Sequence, residues 1–277
     1  MPELPEMQAL AERLDEALAG AELEKIVPIQ FSGAKTFDPS PDSLVGRELE
    51  GVGRRAKYLV FDFGGPRLLI HLSQGGRVDV EYPPKTTRPK GGVARFRFVG
   101  RPAVLVKEFG TQRRAGWWVL AEGEDGPLEG LGPEPYSDEF EEALLAEKGK
   151  RRLHTYLRDQ RTVAGIGRGY ADEILHTARL SPYAPTGRLT EEQRRRLLTS
   201  IRAMLDRGLD LERKRTGGLP TKLPDRWRIH GRSGSPCPRC GEDLRRVSFE
   251  DYEITYCPNC QTGGKILADR RMSRLIK

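Results

Sequence analysis

The 277-residue chain has no cysteine before position 237 and only four in all. That excludes a disulfide-built secreted scaffold, in which paired cysteines run through a short chain. No apolar run approaches the ~20 residues of a membrane-spanning helix, so no membrane partner is expected. The acidic opening Met1-Pro-Glu-Leu-Pro-Glu6 is unlike a secretory signal, and a cytoplasmic location is expected. Internal repeats and low-complexity segments are absent too. What remains is an ordinary globular composition, 37% hydrophobic and 31% charged, long enough for two or three modest domains. The first 212 residues also lack a basic surplus. From Arg213 onward fifteen Lys/Arg face seven Asp/Glu, a surplus of eight against a whole-chain net charge of +7, which leaves −1 for residues 1–212. Such a concentrated excess suits a polyanion, most simply nucleic acid, although a solvated basic face has the same composition.

The cysteines form two knuckles, Cys237-Pro-Arg-Cys240 and Cys257-Pro-Asn-Cys260, with sixteen residues between them. Each Cys-x-x-Cys can place two sulfurs on one tetrahedral ion, so the spacing predicts a four-thiolate zinc ribbon. Two disulfides are the alternative, disfavoured in an intracellular chain. Four thiolates leave no open position for a substrate, so one structural zinc is expected.

Met7, Leu10, Leu14 and Leu18 recur at helical spacing before Gly20, predicting an amphipathic helix from about Pro5 to Ala19. Short β-branched or alternating runs follow to Leu120, among them Tyr58–Phe63, Arg67–Leu72, Arg95–Phe98 and Ala103–Val106, with Gly64-Gly65-Pro66 and Gly100-Arg-Pro102 as turns. These predict a β-sandwich or barrel-like domain over 1–125. A Gly/Pro/acidic linker at 123–135 leads to a helical domain over 136–220. Its helices are expected after Ser137, around Leu153–Asp159, over Gly169–Ala178 and after the capping box Thr190-Glu-Glu-Gln193. A zinc finger at 230–277, with a hairpin from Val247-Ser-Phe249 and Ile254-Thr-Tyr256, completes an α+β multidomain chain.

Two segments carry candidate chemistry. A proline behind Met1 makes aminopeptidase removal of Met1 expected, leaving Pro2 as a terminal secondary amine. Free α-amines titrate near pH ~7.7–8.0, so a nucleophilic fraction exists at neutral pH. Glu3 and Glu6 add carboxylates for proton transfer during imine chemistry. The same residues also make an ordinary helix start, with Pro5 and Glu6 in the first turn. In Val163-Ala-Gly165-Ile-Gly167-Arg168-Gly-Tyr170, glycines precede a helix, exposing N–H groups that could seat a phosphate; a tight turn needing only glycine's φ freedom fits equally well.

Four motifs in order resemble the formamidopyrimidine-DNA glycosylase and endonuclease VIII family of bacterial base-excision repair enzymes. Pro2-Glu-Leu-Pro-Glu6 matches the family's N-terminal signature, Gly53-Arg-Arg-Ala-Lys57-Tyr its lysine-bearing hairpin, Asp159-Gln160 through Leu175 its helix-two-turn-helix, and Cys237 to Gln261 its zinc finger. The formamidopyrimidine branch is the nearer one, since endonuclease VIII members usually begin Pro-Glu-Gly. The resemblance implies a glycosylase with abasic-site lyase activity on damaged DNA, working as a monomer at the nucleoid. Pro2 would attack C1′ of a flipped nucleotide, Glu3 would protonate the ring oxygen, Glu6 would position the amine or the extruded nucleotide, and Lys57 would hold phosphate or lesion. His71 would contact phosphate and Glu173 would support local geometry, while the finger and the turn residues Gly165, Gly167 and Arg168 would grip the DNA backbone.

The chain departs from the family where lesions are read. Gln74 stands for the void-filling methionine, Glu108 for the intercalating arginine beside a retained Phe109, Arg168 for the turn asparagine, and Tyr252 for the finger arginine, whose charge Arg245, Arg246 or the Arg270-Arg271 pair would have to replace. The implied preference is for a lesion other than 8-oxoguanine opposite cytosine. A DNA-binding protein of this fold that has lost excision and recognises distorted or single-stranded DNA is the alternative.

Overall fold

In the computed structural model the described residues are 1–110, 112–220, 226–249 and 252–268. Arg270 and Arg271 lie outside them. The chain forms two compact units, one of residues 1–130 with 208–224, the other of 131–207 with 225–277. The helical segments and the cysteine module thus share the second unit.

In the first unit, helix α1 (Leu4–Leu18) buries Met7, Leu10, Leu14 and Leu18 completely, as their spacing predicts. Glu3 is its N-cap, and the Glu3 N–H donates to Glu6 Oε2 at 2.7 Å, so the two candidate carboxylates also build the helix start. Gly20, at φ 76°, follows the helix.

Two four-stranded antiparallel sheets form a sandwich. One has the order β1 (Leu23–Pro28), β6 (Gly92–Phe98), β7 (Ala103–Glu108), β5 (Gly76–Glu81). The other runs β2 (Gly51–Arg55), β3 (Tyr58–Asp62), β4 (Arg67–His71), β8 (Gly116–Leu120). The inner faces and α1 share a core that includes Phe61, Ile70, Phe96 and Trp117, the last two meeting edge to face at 5.8 Å. Residues 208–224 return to this unit. Leu219 exchanges backbone hydrogen bonds with Val78 on the edge strand β5, and Arg13 of α1 donates to the Gly217 and Glu212 carbonyls.

The second unit holds α2 (Asp138–Ala146), α3 (Leu153–Arg158), α4 (Arg168–Thr177) and most of α5 (Glu191–Arg213). Ser137 caps α2, and the expected box forms on α5, with the Gln193 N–H donating to Thr190 Oγ1 and the Thr190 N–H to Gln193 Oε1. The cysteine module follows as hairpin β9 (Arg245–Ser248) and β10 (Glu253–Tyr256) and short helix α6 (Pro258–Thr262). Ile229 and Leu244 pack beside Cys237 and Cys257, and the hairpin buries Val247, Ile254 and Tyr256, a small apolar set that leaves part of the module's order to polar anchors and metal.

Candidate active site and nucleic-acid surface

The start of α1 buries Pro2, Glu3 and Glu6, beneath a Met1 that is 46% exposed. The β2–β3 hairpin turns through Ala56 and Lys57, with Ala56 at φ 52°, a region uncommon for a residue with a side chain. The Arg54 guanidinium ties this turn to the helix, donating to Gln8 Oε1 at 3.0 Å and to the Ala56 carbonyl at 3.1 Å. Lys57 is 5% exposed, an unusual setting for a lysine and unlike a solvated hairpin residue. His71 lies opposite Tyr58 in the β3–β4 register, its ring 4.6 Å from the tyrosine ring. Burial, reinforced by the Lys57 charge, takes its pKa down to about 4. At neutral pH His71 is therefore uncharged and can offer an anion a neutral N–H, while the positive charge comes from Lys57.

Two residues that sequence reading passed over lie in the same unit within electrostatic reach of this site. Glu212 is 2% exposed and holds Arg215 through two hydrogen bonds, at 2.9 and 3.1 Å, and Arg215 lies near enough to Glu6 to feel its charge. Only the return of residues 208–224 to the first unit brings them there, and no local pattern signals it.

Gln74 and Phe109 are exposed on two loops whose backbones touch: the Phe109 N–H donates to the Gly75 carbonyl at 3.0 Å. A side chain at Gly75 would collide with the Gly110 backbone, so the contact requires glycine. Glu108 corrects the expectation placed on it. It is the last residue of β7, 4% exposed, and accepts from the Arg114 and Ala115 N–H groups, each at 3.0 Å. The carboxylate anchors the following loop from inside instead of presenting a negative charge at the surface. Glu108→Ala leaves two N–H groups without acceptors, at about 1–3 kcal/mol each for buried donors. We expect urea denaturation to show a loss of about 2–4 kcal/mol, and a smaller one for Glu108→Gln, which keeps one acceptor.

In the second unit the glycine turn is pinned by Gln160, whose amide donates to the Arg158 and Ile166 carbonyls and whose Oε1 accepts the Gly165 N–H at 3.0 Å. Gly165 has φ 94° and needs glycine; Gly167 is extended and serves as N-cap of α4, and Arg168 is half-buried in its first turn. Gly169 has a role the sequence did not reveal. A Cβ there would lie 2.5 Å from the Trp227 ring, itself held by Tyr170, His230 and Arg226. Gly169→Ala should lower the melting temperature, because overpacking costs about 1–3 kcal/mol and exceeds what alanine gains in a first helical turn. A shift in tryptophan emission would report the Trp227 displacement.

Helix α4 also anchors the cysteine module. Glu173 Oε1 accepts from the Arg228, Ile229 and His230 N–H groups at 2.8–3.1 Å. Asp172 Oδ2 accepts from His230 Nδ1 at 2.6 Å and from the Thr255 N–H at 3.2 Å, while His154 Nε2 stands 3.3 Å from Oδ1 without hydrogen-bond alignment. Burial opposes charge on Asp172, but its histidine partners win and hold the carboxyl below its ordinary range.

The four sulfurs lie within 4.8 Å of one another, with separations of 3.4, 3.5 and 4.0 Å between three of the pairs, and all four cysteines are free thiols. A tetrahedral ion with metal–sulfur bonds of ~2.3 Å needs sulfurs about 3.8 Å apart, so the donor set fits one zinc. N–H groups of Arg239 and Cys260 point at Cys237 and Cys257 sulfurs, as they would toward thiolates. His176 Nε2 is 3.2 Å from Cys237 Sγ.

Comparisons with known proteins agree with this geometry. Residues 1–118 match the formamidopyrimidine-DNA glycosylase N-terminal domain, 131–218 its H2TH domain, and 234–263 the zinc finger found in FPG and IleRS. Formamidopyrimidine-DNA glycosylase of Thermus thermophilus is 32% identical over 95% of this chain and 100% of that protein. The chain belongs to the formamidopyrimidine-DNA glycosylase family. An uncharacterised formamidopyrimidine-DNA glycosylase-like protein of Mycobacterium tuberculosis is 43% identical over 53% of this chain and 94% of its own length. The Lactococcus lactis formamidopyrimidine-DNA glycosylase, solved noncovalently bound to DNA containing an abasic site, superposes with TM-score 0.81 at 26% identity, covering 94% and 99% of the two chains. Family membership thus accounts for the α+β architecture, the zinc ligands Cys237, Cys240, Cys257 and Cys260, and the standing of this chain as a DNA glycosylase. Among the described residues no helix is long and apolar enough to cross a membrane.

Proposed function

We propose that this family member is a bifunctional DNA glycosylase and abasic-site lyase, acting as a monomer at the bacterial nucleoid, with the Pro2 amine as nucleophile. The observation that carries the reading is the burial of Pro2, Glu3 and Glu6 at one helix start, with buried Lys57 on a hairpin tied to that helix through Arg54 and Gln8. Loss of Met1 turns the Pro2 nitrogen from an amide into a secondary amine. Its lone pair attacks C1′, the C1′–base bond breaks, and the damaged base leaves with a proton. Glu3 protonates O4′ as the sugar opens, giving an iminium between Pro2 and C1′. That iminium carries its positive charge without any further proton loss, because a secondary amine has only one hydrogen to give. Removal of a C2′ proton then expels the 3′ phosphate and breaks the strand. Lys57 neutralises a backbone phosphate, and neutral His71 donates to it. Buried Glu6, hydrogen-bonded to the Glu3 N–H, orients the pair.

The lesion-reading set differs from the family pattern through Gln74 and Tyr252, while Phe109 stays exposed. We infer a preference other than 8-oxoguanine opposite cytosine. The test is strand scission and base release on duplexes bearing abasic sites, oxidised purines and oxidised pyrimidines. Cleavage of abasic DNA with excision of at least one lesion supports the reading. Tight binding without base release or scission would assign the chain to DNA recognition alone.

A further inference from the structure

The end of α3 and the tip of the finger hairpin meet within the second unit. The Arg158 guanidinium carbon lies 3.9 Å from the centre of the Tyr252 ring. Phe249 stacks on the same ring at 4.4 Å and 9°, and the Phe249 N–H donates to the Tyr252 carbonyl across the tip. Both groups sit at stacking distance from one ring, so the Tyr252 face is engaged within the protein. His154 lies nearly parallel to Tyr252 at 6.1 Å and is itself beside Asp172, which links the stack to the α4 anchor.

Arg158, like Arg152 on the Tyr183 ring, rests on a tyrosine face, whereas most arginines of this unit spend their N–H groups on protein oxygens. Arg151 donates to Asp159, Arg196 to the Ala178 carbonyl, Arg202 to Glu141, Arg239 to the His176 carbonyl and Arg246 to Glu253. Among the described residues no oxygen accepts from the Arg158 side chain, and its guanidinium rests on the tyrosine face. A guanidinium stacked through its face keeps its in-plane N–H edge open, and that edge fits two oxygens of a phosphodiester. The stack fixes the side chain in advance, so little rotamer entropy is lost when an anion arrives. Arg246, a sequence-level candidate for this charge, is instead paired with Glu253.

We propose that Arg158 binds a DNA backbone phosphate and that Tyr252 is the residue that positions it, a step that rests on the DNA-acting reading above. The positive charge expected from a finger arginine then comes from α3, with the finger supplying the aromatic surface. Because a phosphate contact is blind to sequence, its signature is salt dependence.

The test uses the zinc-loaded full chain and a duplex with a tetrahydrofuran abasic analogue, titrated by fluorescence anisotropy from 50 to 300 mM KCl. Arg158→Ala should weaken binding about 10-fold or more, as for a lost charged hydrogen bond, and flatten the log–log salt slope by about 0.9. Arg195→Ala removes one charge already satisfied by Glu191 and should leave the slope unchanged. Tyr252→Phe should match wild type, whereas Tyr252→Leu should weaken binding several-fold with zinc content intact. A wild-type slope and affinity in Arg158→Ala, or equal losses in Arg158→Ala and Arg195→Ala, would overturn the proposal while leaving the enzyme reading in place. Wild-type protein that fails to bind abasic DNA would overturn both.

Discussion

Pro2→Leu should abolish borohydride-trapped adducts on abasic DNA and lower strand scission by about 10³-fold or more, the scale on which losing a covalent nucleophile acts. A large second residue keeps Met1 in place, so the chain ends in a primary amine one residue too early and position 2 becomes an amide. Pro2→Gly is the informative partner. Glycine still permits Met1 removal and leaves a terminal amine at the right position, but a primary and more mobile one, so trapping should persist at a reduced rate. The pair separates loss of the amine from disturbance of the helix start, because both replace the same buried ring. Glu3 and Glu6 complicate any simpler substitution. Each serves the helix start as well as the proposed chemistry, Glu6 through its bond to the Glu3 N–H, so their removal would mix stability with activity. Intact mass and thermal melting of each variant check that the chain terminus and the fold are as intended.

Cys257→Ser, or exhaustive chelation, should release the zinc and unfold the finger. Structural zinc contributes on the order of 10–16 kcal/mol of apparent binding energy in small modules, and here it adds to a small buried apolar set of Ile229, Leu244, Val247, Ile254 and Tyr256. Removing the ion has consequences beyond the finger. The three N–H groups bound by Glu173 and the Thr255 N–H bound by Asp172 belong to residues that the folded module presents. Their loss leaves two α4 carboxylates, both 5% exposed or less, without their donors. We expect the second unit to melt at least about 10 °C lower, using 2–4 °C per kcal/mol for a domain of this size, with DNA binding lost in parallel. Zinc release followed by a colorimetric chelator and differential scanning calorimetry measure the two effects. Full retention of the melting profile after zinc loss would contradict the anchoring role assigned to Asp172 and Glu173.

Much of the fold was legible because its determinants are local. The 3.6-residue spacing of Met7, Leu10, Leu14 and Leu18, the Ser137 and Thr190 caps and the two cysteine knuckles each fix structure within a few residues. Misreading began where a residue's role depends on partners distant in sequence or reached around a loop. Glu108 aligned with a surface arginine, yet its acceptor role is set by N–H groups six and seven residues later. Gly169 looked like turn chemistry, but Trp227, 58 positions on, requires its missing side chain. Arg158 was simply the end of a helix until Tyr252 was placed on it. The candidate nucleophile was legible for a different reason: a terminal amine with adjacent carboxylates is encoded in six consecutive residues, whereas Arg215 beside Glu6 depends on the return of residues 208–224 to the first unit.

The central claim is that the Pro2 nitrogen bonds to C1′. Abasic DNA incubated with the wild-type protein under borohydride, digested with protease and nuclease, and mapped by tandem mass spectrometry tests it most directly. The reduced sugar remnant should sit on the nitrogen of Pro2, in a peptide from which Met1 is gone. A remnant on the Lys57 ε-amine, or no adduct where an established glycosylase of this family traps, would contradict the account.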